Sequence, residues 1–291
     1  MDVAVAAGDV DIVSVDSMAV YRQLDIATAK PSTTDQALVP HHLIDLLEPW
    51  EECTMSLFQA AARSAMVGVE EQSRISLLVG GTGLYHRAVI DDLEIPGRYP
   101  EVRASLEAAL VDELALARLY EHLTELDPDA AGRIEPGNER RIIRALEVTL
   151  GSGRPFSSFG PGLETYPPSE ITQIGLLLES QVVDEAIERR VDGWLEEGLL
   201  DEVQRLLDDP RGLSMTARQA IGYREVASYL GGSCGLREAR EAIVARTRAF
   251  ARRQRAWFRR DPRVLWCEPD SIRGQLEAAL AGIRLAGEVE D

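Results

Sequence analysis

The 291-residue chain is predicted to fold as an α/β protein, with a parallel-sheet core interrupted by a helical insertion. Three observations predict it. Short β-branched or apolar runs alternate with helical periodicities at both ends of the chain, the pattern of βαβ units. Two of these runs, Asp11–Val15 and Ile75–Val79, flank one helical stretch, and the second leads straight into Gly80-Gly81-Thr82-Gly83. Strand, helix, strand, Gly-turn and helix then follow in the order of a parallel crossover. Between residues 98 and 166 the strand signals stop.

Each element has its own warrant. Val3–Ala7 is short and alanine-rich and reads as the tail of a helix. Asp11-Ile12-Val13-Ser14-Val15 is a buried strand that ends at Asp16-Ser17. Residues 54–72 place Leu57, Ala61, Ala65, Met66 and Val69 at helical spacing, with Thr54 or Ser56 as the cap. Ile75–Val79 is the second strand, and a helix starts near Leu84. Ile95-Pro96-Gly97-Arg98-Tyr99-Pro100 is a breaker cluster. Helical patterns follow at 101–125 and 139–150, and Gly151–Pro168 reads as a linker. A strand returns at Ile174–Leu178. A long amphipathic helix follows it, with Ile187, Val191, Trp194, Leu195, Leu199 and Val203 on one stripe. Another helix covers about 236–260, and Val264–Cys267 is a last short strand. The expected domains are therefore a core of 1–97 with 167–291 and an insertion of 98–166.

The apolar fraction of 45% and the charged fraction of 27% exclude a disordered chain and collagen. No apolar run approaches the roughly 20 residues of a membrane span, and the first residues lack a basic n-region. Cys53, Cys234 and Cys267 are far apart and form no C-x-x-C, so a reducing, cytoplasmic setting is expected. The net charge of −18 argues against nucleic-acid binding. The distribution argues the other way. Arg246 to Arg263 contains eight arginines and one acid, Asp261, and a second cluster holds Arg133, Arg140, Arg141 and Arg144. Each cluster reads as an RNA-binding patch or as a solvated helix face.

Lys30 is the only lysine and sits in Ala29-Lys30-Pro31. A phosphate loop of the form G-x-x-x-x-G-K-[ST] is therefore not among these residues. Open parallel sheets bind ligands beyond the carboxyl ends of their strands. Asp16 and the turn Gly80–Gly83 both fall there. Asp16 serves as a helix cap or as a reactive carboxylate. The turn serves as a tight connection or as an anion site of backbone N–H groups. His41-His42 point to opposite faces of an extended segment, which disfavours a metal pair. Ser14 and Ser17 lack the G-x-S-x-G elbow. Trp257 and Phe258 read as core residues or as platforms for RNA bases.

Ser14-Val15-Asp16-Ser17-Met18-Ala19-Val20-Tyr21-Arg22, Leu24–Pro31, Pro40-His41-His42-Leu43-Ile44-Asp45 and Val79-Gly80-Gly81-Thr82-Gly83-Leu84-Tyr85 together resemble blocks of the bacterial tRNA dimethylallyltransferases. Pro100–Arg103, Arg144–Val148, Gln219–Glu225 and Arg253–Arg259 follow in the family's order, so the resemblance runs from about residue 3 to about 268. Ala27 stands where the family usually has glycine.

The resemblance implies a P-loop-NTPase-like, nucleotide-binding sheet with helices on both faces. It implies transfer of a dimethylallyl group from dimethylallyl diphosphate to N6 of the adenosine next to the anticodon of tRNA, with magnesium. Asp16 matches the carboxylate that orients the amine and takes its proton, and Thr82 a position beside the reacting centre. Asp16, Ser17, Met18, Ala19, Thr82, Arg103 and the run Arg140, Arg141, Ile142, Ile143, Arg144 match tRNA-contact positions. Arg224 and Arg253 match motifs near the diphosphate or the RNA. The implied partners are the anticodon stem-loop and dimethylallyl diphosphate, with no membrane, and the chain is expected to be a monomer.

Relatives carry a first strand and phosphate loop, so roughly 25 residues are expected before the point that Met1 occupies. The start codon is misassigned or the chain is truncated, and a chain of these residues alone is expected to have severely reduced transfer. The competing readings are a nucleoside-phosphate kinase, which needs the same lysine loop, and an RNA-binding remnant impaired in catalysis.

Overall fold

The computed structural model describes residues 1–112, 114–160 and 162–290, with side chains to residue 284 in the last helix. Two compact units result, Met1–Asp91 with Pro168–Asp291, and Asp92–Pro167. Glu113, within the helical stretch expected at 101–125, and Pro161, within the expected linker, lie outside the described residues.

In the first unit α1 (Asp2–Ala7) stops at Gly8, whose φ of 77° suits a residue without Cβ. Strand β1 (Val10–Ser14) follows one residue earlier than the sequence pattern suggests, with Val10, Ile12 and Val13 in the core. Helix α2 (Thr33–Leu38) is short and was not anticipated. Its signal is local: Ser32 and Asp35 form a reciprocal capping box. Strand β2 (His41–His42) and strand β3 (Ile75–Val79) flank β1 in parallel, in the order β2-β1-β3. Between them α3 (Met55–Glu70) starts at Thr54, whose side chain accepts the Leu57 N–H. Helix α4 (Gly83–Ile90) leaves the Gly-turn. The β1–β3 register runs from Val10 opposite Ile75 to Ser14 opposite Val79.

In the second unit α5 (Pro100–Ala108), α6 (Ala115–Leu126), α7 (Pro128–Ala131) and α8 (Glu139–Ser152) enclose Leu106, Leu119, Leu123, Ile142, Ile143 and Leu146. The pattern expected over 101–125 is thus two helices. Asp112 accepts the Leu114 N–H at 2.9 Å, a side-chain bond that competes with continued helix.

The first unit resumes with β4 (Gln173–Leu176), α9 (Ser180–Glu196), α10 (Leu199–Asp208), α11 (Tyr223–Leu230), α12 (Leu236–Phe258), β5 (Val264–Cys267) and α13 (Ile272–Glu290). Strands β4 and β5 pair in parallel as a second ladder, so the parallel strands form a three-stranded and a two-stranded sheet. The single amphipathic helix expected after β4 is broken between α9 and α10. Gly198 there takes φ 100°, left-handed backbone that ends a helix path. The stripe survives the break, because Ile187, Val191, Trp194, Leu199, Val203 and Leu206 enter one core with Tyr21, Leu24, Phe58 and Ile243. Helices α11 and α13 were not anticipated from the sequence. Among the described residues no helix is long and apolar enough to cross a membrane.

The adjacent histidines have separate structural partners. His41 Nδ1 lies 2.7 Å from the Val39 carbonyl, and His42 Nε2 lies 2.7 Å from Asp11 Oδ2. Asp11 is 2% exposed and also accepts from Arg74 Nε at 2.5 Å. Burial raises its pKa, but the hydrogen bonds from His42 and Arg74 outweigh burial and hold the carboxyl below its ordinary value. A depressed carboxylate contributes stability above its unfolded pKa, and that stability is lost as pH falls through the folded value. Asp11→Asn is therefore expected to destabilise the chain by about 1.5–3 kcal/mol at pH 7. In denaturant titrations the difference from wild type should shrink below about pH 4. A variant as stable as wild type at pH 7 contradicts the assignment.

Candidate active site

The register of β1 and β3 brings two loops to the same edge of the sheet. The ladder extends one step further, since Val15 N donates to Val79 O at 2.7 Å. Beyond it lie Asp16-Ser17-Met18-Ala19 on one side and Gly80–Gly83 on the other, with Ser17 and Thr82 65 residues apart in sequence. A Cβ on Gly80 would lie 2.1 Å from the Val15 carbonyl oxygen, so only glycine fits that crossing.

Asp16 is half-buried, and its Oδ1 accepts the N–H groups of Met18 at 2.7 Å and Ala19 at 3.2 Å. Both bonds fall on one oxygen. Among the described residues nothing donates to Oδ2. No helix follows, since residues 17–20 are turns, so the helix-cap expectation is corrected: Asp16 ties a turn through Oδ1, which leaves Oδ2 for chemistry. Ala19 is buried and Met18 packs against the core, so Asp16 and Ser17 present the more open side chains of this segment.

Thr82 takes the N-cap position of α4 yet makes no cap bond with its side chain. Its Oγ1 instead accepts the Ser17 N–H at 3.3 Å and lies 3.5 Å from Ser17 Oγ. Asp16, Ser17 and Thr82 thus form one cluster.

A cation that the sequence reading passed over completes the surroundings. Arg190 on α9 feels the Asp16 charge. Partial desolvation pulls its guanidinium below the usual arginine value, and Asp16 pushes it back up. Its guanidinium carbon lies 5.1 Å from the Trp194 ring centroid, along a cleft of about 470 Å³ shared with Asp25 and Glu197. Among the described residues it has no ion-pair partner within 4 Å. Nothing in the spacing of Arg189-Arg190 marks it in advance, because neighbouring arginines on a polar helix face are common.

Lys30 is accounted for internally. Its ammonium reaches Asp25 at 2.7 Å, Asp45 at 2.6 Å and the Tyr21 carbonyl, and its side chain is 5% exposed. It pins the loop 21–30.

The arginine run on α12 divides in two. Arg246 pairs with Glu225, Arg248 with Asp184 and Glu188, Arg255 with the Leu178 carbonyl and Ser180, and Arg263 with Asp91 and Asp261. Arg252, Arg253, Arg259 and Arg260 remain exposed without a polar partner among the described residues. Arg253 approaches the Phe250 ring at 5.8 Å, and Arg224, near the start of α11, is exposed as well. Phe258 packs edge-on to His86 at 5.4 Å and Trp257 against Gly83, so both aromatics are packing residues here.

The second unit sorts its arginines the same way. Glu147 is 2% exposed and accepts from Tyr99 N at 2.9 Å, Arg144 Nη1 at 2.9 Å and Arg103 Nη1 at 3.4 Å. Arg144 also donates to the carbonyls of Gly97 and Pro96, and Arg103 pairs with Glu107. Arg140 and Arg141 are exposed, and Asn138 caps their helix through the Arg141 N–H. Ile142 and Ile143 correct the expectation of RNA contact at every position of this run. They are 0% and 2% exposed, because the helical period turns them into the core.

Residues 19–261 match the IPP transferase family. The chain belongs to that family. A tRNA dimethylallyltransferase of Nocardioides sp. is 45% identical over 260 residues, covering 89% of this chain and 83% of the relative. One of Salinispora tropica is 44% identical, covering 98% and 89%. Among solved structures, a tRNA isopentenylpyrophosphate transferase of Bacillus halodurans is 35% identical with a TM-score of 0.69, covering 99% of this chain and 93% of that one. The Asp16–Thr82 cluster and the exposed Arg140 and Arg141 fall within the matched residues or directly beside them. For this IPP transferase chain the two oxygens of Asp16 are separable by substitution. Asp16→Asn keeps an acceptor for the Met18 and Ala19 N–H groups and should hold stability within about 0.5 kcal/mol, whereas Asp16→Ala should cost about 1 kcal/mol. Thermal melts check this. Equal losses in both variants would mean that the turn bonds contribute nothing.

Proposed function

We propose that this chain is a tRNA dimethylallyltransferase, acting on N6 of the adenosine next to the anticodon. The observation that carries the reading is the Ser17–Thr82 hydrogen bond, which brings Thr82 to the segment of Asp16 at the carboxyl edge of a parallel sheet, in a chain whose relatives bear that name. In the proposed step the N6 lone pair attacks C1 of the dimethylallyl group. The C1–O bond breaks, its electron pair leaves with the diphosphate, and the N6 proton passes to a carboxylate. Asp16 Oδ2 is that carboxylate oxygen, with Oδ1 anchored by backbone N–H groups so that the acceptor is already oriented. The adenine amine is a weak nucleophile because its lone pair is delocalised, which is why a positioned base matters. Thr82 sits beside the reacting base, and Arg190, without an ion-pair partner among the described residues, is a cation available to the charge growing on the diphosphate.

The target adenosine lies in a single-stranded loop, where a base is extruded at low cost. In the first unit Asp16, Ser17 and Thr82 are the proposed contacts to the base; in the 92–167 unit, taken by itself, Arg140 and Arg141 are proposed phosphate contacts. Arg103 and Arg144 stand behind them as counterions of Glu147. Exposed Arg224 and Arg253 are further cations for RNA or diphosphate.

Among the described residues no three His, Cys, Asp or Glu side chains converge on one point. These residues build no protein-only cage for the magnesium that the family resemblance implies. Lys30 is fixed internally and supplies nothing to a phosphate. That favours, as a second reading, an RNA-binding chain whose transfer is slow.

One experiment addresses both readings. Anticodon stem-loop RNA is titrated with the 291-residue chain at several salt concentrations, then incubated with dimethylallyl diphosphate and analysed by mass. Micromolar or tighter binding with one dimethylallyl group added supports the enzyme, and binding without product supports the second reading. Arg141→Ala should flatten the log–log salt slope by about one unit. Arg144→Ala should lower the melting temperature and leave the slope near wild type. Equal slopes in wild type and Arg141→Ala remove Arg141 from the RNA surface.

A further inference from the structure

Helix α12 passes over the Gly-turn with two side chains three residues apart, Gln254 and Trp257, on one face. A Cβ on Gly81 would lie 2.0 Å from Gln254 Nε2, and a Cβ on Gly83 would lie 2.2 Å from Trp257 Cδ1. The two glycines therefore leave room for these side chains. Gln254 Nε2 also donates to the Gly81 carbonyl at 3.0 Å. On the opposite side Gly80 presses on the Val15 backbone. The turn is held between the end of β1 and one face of α12.

What this grip controls is the peptide between Gly81 and Thr82. The peptide is planar, so fixing its carbonyl fixes the direction in which the Thr82 Cα leaves it. Thr82 has φ −84° and ψ 85°, outside the helical range. A threonine at an N-cap ordinarily accepts from an N–H of the first helical turn. Here the hydroxyl accepts from Ser17, at the end of the other strand. Gln254 bonds to the Gly81 carbonyl and to neither Ser17 nor Asp16, yet it fixes the element that reaches them.

We infer that Gln254 is a positioning residue. By holding the Gly81 carbonyl it directs the Thr82 hydroxyl onto the Ser17 N–H, and so sets the Asp16–Thr82 edge. Trp257, filling the space over Gly83, holds the first turn of α4 in the same grip. The effect on catalysis rests on the proposed prenyl transfer, whereas the positioning does not.

The test starts with the full chain free of substrate. Gln254→Met is similar in length, fills the space over Gly81 and lacks the donor. Gln254→Glu serves if the methionine variant folds poorly, since an ionised carboxylate cannot donate either. Amide hydrogen exchange is read at Ser17 and across 80–85. Loss of one ordinary hydrogen bond should speed exchange there about five- to tenfold, with the remainder of α12 unchanged. Thr82→Val should speed exchange at Ser17 too, and the double variant should be no faster than Thr82→Val alone. Unchanged exchange in Gln254→Met, additive effects in the double variant, or loosening spread through the core each overturns the inference. The same cycle is then run on steady-state transfer from dimethylallyl diphosphate, where the fall should be in kcat with KM within about twofold. Should wild type transfer nothing, the functional reading fails while the exchange data still decide the role of Gln254.

Discussion

The parallel register of β1 against β3 is the constraint on which the candidate site depends. Five facing pairs, from Val10–Ile75 to Ser14–Val79, end the two strands together. Slipping that register by one residue would turn each strand's buried set to the opposite face. Val13 and Val15 are fully buried, so the register is fixed by the core. Once it is fixed, Asp16 and Thr82 meet without any contact chosen for that purpose. The close approach then demands a glycine at Gly80, and the packing of α12 demands the absence of side chains at Gly81 and Gly83. The glycine pattern of this turn is a record of packing on both sides. Read from sequence, it stood open between a tight connection and an anion site.

Much of the fold was legible in the chain. The strands at residues 10–14, 75–79, 173–176 and 264–267, and the helices starting at Met55 and Leu236, carry local patterns that match their buried faces. The errors have physical causes. Gly198 divides one amphipathic stripe into two helices because its left-handed backbone redirects the chain while apolar spacing continues. Asp112 does the same to the pattern over 101–125 by a local side-chain bond. Helix α2 is too short to show periodicity, and only its capping box announces it.

The candidate site was legible through its family blocks and less so through its charges. Counting arginines suggested two basic surfaces. Several of those charges are internal counterions: Glu147 holds Arg103 and Arg144, and Glu225 holds Arg246. Burying a carboxylate unpaired is costly, so such acids recruit arginines from nearby elements. Sequence cannot separate these from Arg140, Arg141, Arg252 or Arg259, because the partners come from distant segments. Arg190 was missed for the converse reason. Among the described residues it lacks an ion-pair partner while feeling the Asp16 charge, a relation that exists in three dimensions alone.

The central claim is that one carboxylate performs two separable tasks, Oδ1 ordering the segment 16–19 and Oδ2 accepting a proton. Its most direct test is the single-turnover rate of dimethylallyl transfer by Asp16→Asn, with protein in excess over anticodon stem-loop RNA so that slow transfer is readable. The account predicts a variant that melts and binds RNA like wild type but transfers roughly 10²–10⁴-fold more slowly. Transfer at the wild-type rate per folded molecule would contradict it and leave Asp16 as a turn tie alone.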